Sequence, residues 1–154
     1  MYTNVKIKVL AKEGAALPVY KTEGAAGADV CAFLEKDIVI APNERKLVPT
    51  GLFFEIPEGF EVQVRPRSGL ALKNGITVFN TPGTIDSDYR GEIKVLLVNF
   101  SNEPYIVHSG ERIAQLVVAP VTIASWEKTD LLSESERGDG GWGSTGGFAG
   151  PVSS

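Results

Sequence analysis

Apolar residues in this chain recur at every second position, in short runs that Gly and Pro cut off. Val5, Ile7 and Val9 alternate with Lys6 and Lys8, and Phe60, Val62 and Val64 alternate with Glu61, Gln63 and Arg65. Period two sends successive side chains to opposite faces, so such runs read as strands buried on one face. Further extended runs are Val30 to Leu34, Ile38 to Ile40, Leu47-Val48, Leu52 to Ile56 and Ile76 to Phe79. Glu92 to Phe100, Tyr105 to Val107 and Ile113 to Val118 follow, and Val121 to Trp126 is expected to close the core. Pro49-Thr50-Gly51 and Pro57-Glu58-Gly59 read as breaks between strands. Leu70 to Lys73 has room for about one helical turn before Asn74-Gly75 stops it. Many short strands without a long helical period predict an all-β barrel or sandwich.

A chain of 154 residues with 43% apolar composition can bury a real core as one domain. A net charge of −4 gives no general attraction to nucleic acid or membrane, so a phosphate-bearing ligand would need local arginine clusters. Cys31, the single cysteine, cannot form an internal disulfide and is expected to be a buried, inert thiol. The N-terminus has no apolar signal core and no window is long enough to span a bilayer, so a cytoplasmic location is expected. Composition changes at Ser133: seven of the 17 glycines lie between Gly138 and Gly150. A stretch so rich in glycine buries too little apolar surface to offset its ordering entropy. Residues 1–132 are therefore expected to form the core, and 133–154 a mobile arm unless something docks it.

Chemistry concentrates from Asn74 to Gly91. Thr81-Pro82-Gly83 is a turn signal, and the flanking runs read as a hairpin. Asn80 precedes the turn; Asp86, Asp88, Tyr89 and Arg90 follow it. Taken alone, these could be a solvated turn with local side-chain bonds. Arg65-Pro66-Arg67-Ser68-Gly69 is more specific. Arg67 supplies a planar fork, Ser68 a hydroxyl and Gly69 a close backbone approach, a good set for phosphate. Gln115 stands in an apolar run and needs a partner if it points inward. Asp29, after Ala26-Gly27-Ala28, reads by default as a turn-capping residue. Trp142 stands in Arg137-Gly138-Asp139-Gly140-Gly141-Trp142-Gly143-Ser144-Thr145-Gly146, where no local core can receive it. An aromatic with neighbouring Arg, Ser and Thr can stack on a base and close over phosphates. His108 is the only histidine, which argues against a His-based metal site or a Ser-His-Asp triad.

The stretches Ala26–Asp29, Arg65–Ala71, Asn80–Gly91, Gly110–Leu116 and Arg137–Gly146 stand in the order and spacing of the motifs of homotrimeric dUTP pyrophosphatases, and the chain resembles that family along nearly its whole length. Trp142 is a departure, since the family usually has Phe there. The resemblance implies a jelly-roll-like β-barrel in a homotrimer, with sites at subunit interfaces and a flexible C-terminal arm covering a neighbour's site. It implies hydrolysis of dUTP to dUMP and pyrophosphate by water attack on the α-phosphorus, which keeps uracil out of DNA and supplies dUMP for thymidylate synthesis. Asp86 would be the general base. Arg67, Ser68, Gly69 and Gln115 would hold phosphate oxygens. Backbone groups of Thr84, Ile85 and Asp86 with the Asn80 amide would read uracil, Tyr89 would pack on the sugar, and Lys94 would line the pocket. Trp142 would stack on the base while Arg137, Ser144 and Thr145, with Gly143 in the same stretch, hold the γ-phosphate. Mg²⁺ would ride mainly on phosphate oxygens, with Asp29 touching its water shell. Two other readings are a dCTP deaminase, which needs a carboxylate (typically Glu) aimed at C4 of the base, and a non-enzymatic module that binds dUTP to signal. Against the first, the hairpin stretch offers no such carboxylate and the Asp86 pattern matches hydrolysis; against the second, Asp86 stands together with an intact tail stretch.

Overall fold

The computed structural model describes residues 3–147. The chain divides into two compact units, with the boundary between Thr122 and Ile123. The first carries every strand and helix of the described residues: β1 (Lys8–Ala11), β2 (Ala28–Cys31), β3 (Ile38–Ile40), β4 (Arg45–Glu55), β5 (Phe60–Arg65), α1 (Ser68–Asn74), β6 (Ile76–Val78), β7 (Gly83–Ile85), β8 (Glu92–Asn99), β9 (Tyr105–Val107) and β10 (Arg112–Pro120). All pairings are antiparallel. One sheet runs β1-β4-β8-β6, a second runs β2-β10-β5-β7, and β3 with β9 forms a two-stranded ribbon. The inner faces of the two larger sheets share one core: Val48, Leu52, Ile76, Val95 and Leu97 from the first meet Val30, Val62, Ala114 and Leu116 from the second. The period-two reading of Val62 and Val64 is visible here as burial, with Glu61 and Gln63 turned outward enough to remain half-buried.

Three departures from the sequence reading have local causes. First, Asn74–Gly91 is not a hairpin. β6 pairs with β8 and β7 pairs with β5, so the Thr81-Pro82 turn carries the chain from one sheet to the other. Second, Leu47-Val48 and Leu52–Ile56 are not separate strands. β4 runs through Pro49-Thr50-Gly51 as an irregularity, with register against β8 shifting between Pro49 and Phe53. Gly51 supplies φ 72° there, its N–H donates to Glu92 Oε1 (3.0 Å), and the buried Thr50 hydroxyl donates to the Ile93 carbonyl (2.6 Å). The break chemistry is real, but β8 satisfies the polar groups that the bulge exposes. Third, Val121–Trp126 does not close the core: it is irregular, with Ile123 84% and Trp126 93% exposed.

Smaller adjustments follow. α1 is seven residues long and ends at Gly75, whose φ of 65° lets its N–H reach back to Ala71 and Leu70 carbonyls. Cys31 is half-buried rather than buried. Tyr105 donates to Glu111, and burial first, then that carboxylate, pushes its phenol above the ordinary tyrosine value.

Gly51 yields a stability prediction. A Cβ there would lie 2.8 Å from Phe33 Cδ1 and 2.9 Å from Ala15 Cβ, on a backbone that L side chains avoid. Overpacking and left-handed strain together should make Gly51→Ala cost about 2–4 kcal/mol. Thermal unfolding should then begin several degrees lower, at about 2–4 °C per kcal/mol for a chain of this size. An unchanged midpoint would mean that β4 absorbs the methyl by shifting.

Candidate active site

The site grows from β7, the end strand of its sheet. One edge of β7 pairs with β5 in the register Val62↔Ile85, Gln63↔Thr84, Val64↔Gly83. Among the described residues no other strand joins its opposite edge. An end strand presents unpaired N–H and C=O groups, so Thr84 and its neighbours offer a short row of backbone donors and acceptors. That row faces a cleft of about 450 Å³ lined by Asn80, Thr84, Ile85, Asp86, Tyr89 and Lys94, with Leu47, Val64, Ile93 and Leu96 as its apolar wall. Gly83 keeps the cleft open at the turn: a Cβ would come within 3.3 Å of both the Asn80 amide nitrogen and Val64.

Asp86 follows β7 immediately. Its carbonyl accepts from the Tyr89 N–H (3.2 Å), closing a small turn. Its carboxylate is exposed and has no side-chain partner among the described residues. Tyr89 folds back over Gly91, where a Cβ would lie 2.6 Å from Tyr89 Cζ. Its hydroxyl donates to the Glu92 carbonyl (3.0 Å), which fixes the ring at the cleft mouth. The Arg90 guanidinium turns away to the Ser87 carbonyl (2.6 Å). Glu92 is a cleft residue that sequence reasoning missed. Its carboxylate is tied to the Gly51 N–H and to Lys12 Nζ (3.3 Å), so it braces the wall.

Arg67, Gln115 and Asp29 form a second cluster, and none of them lines that cleft. Asp29 is not a turn cap. It sits within β2 opposite Gln115 of β10, and its side chain is only 6% exposed. Arg112 Nη1 donates to Asp29 Oδ2 at 3.0 Å. Gln115 Nε2 donates to Oδ1 at 3.4 Å, and Arg67 Nε lies 3.5 Å from the same oxygen. Gln115 therefore has the dedicated partner that its apolar surroundings require. Ser68 and Gly69 open α1 beside Arg67, both exposed. Arg112 was also missed. It stands within a quoted motif, but only the β2–β10 register reveals its contact with a residue 83 positions away.

The water-mediated metal role expected of Asp29 meets a competing use, because both carboxylate oxygens are already held by cations and an amide. Among the described residues, no three His, Cys, Asp or Glu side chains converge as ligands. This donor set fits Mg²⁺ carried by a triphosphate's own oxygens and water, and does not fit an ion caged by protein.

The second unit, residues 123–147 of those described, holds no strand or helix. Short local bonds shape it, among them Arg137 Nε to the Gly140 carbonyl (2.6 Å) and Ser144 N–H to the Gly141 carbonyl (2.9 Å). Trp142 is fully exposed at φ 35°, between Gly141 and Gly143. Arg137, Trp142, Gly143, Ser144 and Thr145 all lie in this unit.

The first unit is built on two antiparallel sheets, with a cleft of about 450 Å³ that carries an exposed carboxylate in its lining, and with a separate arginine cluster. Comparison with known proteins gives the family. The dUTPase family model matches residues 13–146. The deoxyuridine 5'-triphosphate nucleotidohydrolase of Treponema denticola is 60% identical over 135 residues, covering 88% of this chain and 94% of that protein. That of Nautilia profundicola is 60% identical over 142 residues, covering 92% and 98%. Among solved structures, the Staphylococcus bacteriophage 80alpha dUTPase with dUPNHPP superposes with a TM-score of 0.79 at 25% identity, covering 92% of this chain and 98% of that one. A dUTPase from phage phi11 of S. aureus, described for its coordination of a structural Mg(II) ion, shares the fold with a TM-score of 0.72 at 22% identity, covering 82% and 97%. The chain belongs to the dUTPase family.

Proposed function

We propose that this protein hydrolyses dUTP to dUMP and pyrophosphate, with Asp86 as the general base. The observation that carries the reading is the exposed Asp86 carboxylate directly after the open edge of β7, in one cleft with Asn80, Thr84, Tyr89 and Lys94. Asp86 would orient a water and take its proton. The water oxygen bonds to the α-phosphorus, and the bond to the oxygen leading to the β-phosphorus breaks on the opposite side, releasing pyrophosphate. Mg²⁺ bound by the phosphate oxygens would neutralise charge developing on the leaving group. The Asn80 amide and the free edge of β7 suit the donor–acceptor edge of uracil. Cytosine would present a donor where an acceptor is needed, leaving the same groups unpaired. Thymine's methyl would meet the closely packed turn around Gly83.

Arg67, Ser68, Gly69 and Gln115 stand outside the cleft of their own chain, so we read the complete site as shared between copies in a homotrimer. Leu10, Leu17, Tyr20, Leu72 and Phe100 are each more than half exposed on the first unit, an apolar load that association would cover. The residues from Ser133 on, with Arg137, Trp142, Gly143, Ser144 and Thr145, would act as an arm closing over a bound triphosphate. No helix of the described residues is long and apolar enough to cross a membrane. We place the reaction in the cytoplasm, where it would keep uracil out of DNA and supply dUMP for thymidylate synthesis. The deaminase alternative needs a carboxylate aimed at the base, and Glu92, the cleft's glutamate, is engaged by Gly51 and Lys12.

The test is pyrophosphate release from dUTP, dCTP, dTTP and UTP side by side with Mg²⁺, together with ammonia release from dCTP. Release from dUTP alone is expected. Deamination of dCTP, or no turnover of dUTP, would defeat the reading. In the same assay Tyr89→Ala should open space beside the sugar and raise UTP turnover relative to dUTP. An unchanged preference for the deoxy sugar would remove Tyr89 from that role.

A further inference from the structure

The Asp29 side chain is only 6% exposed, and the groups around it divide between its two oxygens. Arg112 takes Oδ2 (3.0 Å). Arg67 and Gln115 share Oδ1, at 3.5 and 3.4 Å. Arg67 is held twice, since its Nη1 also donates to the Arg112 carbonyl at 3.1 Å. One Nη1 hydrogen is thus spent inside the protein and Nε faces Asp29 as an ion pair, while the Nη2 end of the fork has no partner among the described residues. Gln115 is braced from behind by Gly27, where a Cβ would lie 3.2 Å from Gln115 Cβ and 3.4 Å from its Oε1.

From this geometry we infer that Arg112, acting through Asp29, is a positioning residue that holds Arg67 and Gln115 in the orientation in which they meet a nucleotide's phosphate chain. The inference rests on the nucleotide-binding reading above. Arg112 occupies Oδ2, which keeps Oδ1 turned toward the other two groups. Without Arg112 the carboxylate is free to rotate and accept Arg67 side-on through two parallel bonds, the preferred Arg–carboxylate geometry. That would draw the open end of the guanidinium back into the protein and release Gln115. The Arg112 side chain itself need not touch the ligand. The backbone bond from Arg67 to the residue-112 carbonyl survives any substitution there, so the effect belongs to the side chain alone.

The experiment is calorimetric titration of dUMP and of a non-hydrolysable dUTP analogue, each in EDTA and in Mg²⁺, on the full chain and on Arg112→Gln, Arg112→Lys and Asp29→Asn. Arg112→Gln should weaken the analogue about tenfold or more, the scale of one charge-assisted hydrogen bond, with dUMP close to wild type. Arg112→Lys should recover part of the loss, because an ammonium can still reach a single oxygen. Asp29→Asn should weaken the analogue in EDTA as well as in Mg²⁺. Wild-type analogue affinity in Arg112→Gln, or an equal loss for dUMP and analogue, would overturn the positioning role. A loss in Asp29→Asn that appears only with Mg²⁺ would assign Asp29 to the ion and overturn it too. A wild-type chain that binds neither ligand would overturn the nucleotide reading itself, a result distinguishable from the others.

Discussion

Asp86→Asn should lower kcat by about 10²–10⁴-fold, the loss typical of a positioned general base, while the protein stays folded and binds a dUTP analogue almost normally. Folding should survive because the Asp86 carboxylate is exposed and holds no side-chain partner among the described residues. Its structural bond is from the main-chain carbonyl to Tyr89, and the asparagine keeps that. Binding should survive because the amide matches the carboxylate in shape and still accepts a hydrogen bond from water. What it cannot do is keep the proton. A variant that lost kcat and kcat/KM in parallel would mark an interaction made only in the transition state. Near wild-type pyrophosphate release from Asp86→Asn would show that another group takes the proton, and a matching loss of analogue affinity would make Asp86 a binding residue.

Ending the chain after Leu132 is expected to leave the fold intact and reduce turnover about 100-fold or more, the scale set by misplacing a reacting group. Among the described residues the last strand, β10, ends at Pro120 and no strand or helix lies between residue 123 and residue 147, so truncation removes none of the sheet pairing described above. Far-UV circular dichroism and the thermal midpoint should therefore match the full chain. The removed stretch carries Arg137, Trp142, Ser144 and Thr145, whose proposed work is to enclose the triphosphate and exclude surplus water. Trp142 offers a direct readout. Its indole is fully exposed, so stacking on a base would change its emission when the analogue binds, and change it less with dUMP. Trp126 is 93% exposed and lies in irregular structure, so Trp126→Phe isolates the signal without disturbing packing. Full activity in the truncated chain, or a Trp142 signal blind to the analogue, would reduce the arm to a passive end.

Contiguous features were readable from the chain, and long-range ones were not. Asn80, Thr84, Ile85, Asp86 and Tyr89 lie within ten residues of one another, and all line one cleft. Lys94 joins them because β8 begins just after the Tyr89 turn. The path of the chain around them was hidden. A Pro-Gly turn looks the same whether its flanking strands pair with each other or, as here, with β8 and β5. The continuity of β4 was hidden too, because Pro49 and Gly51 are breakers locally and the group that stabilises the bulge, Glu92, comes from β8. The Asp29–Arg112 pair needs the β2–β10 register with its irregularity between Arg112 and Ala114, which no pattern in either segment encodes.

The shortness of β7 limits what can attach to it. An unpaired sheet edge is a general hazard, since any extended chain can add to it and start a growing stack. β7 has three residues, about 10 Å of edge, too little to register a passing polypeptide. Its outlet is crowded by the charges of Asp86, Asp88 and Arg90, which resist a second β-edge. A planar heterocycle needs only a few adjacent donors and acceptors. The same brevity that makes β7 useless as a template for polymerisation leaves an edge on the scale of the single ring proposed to bind there.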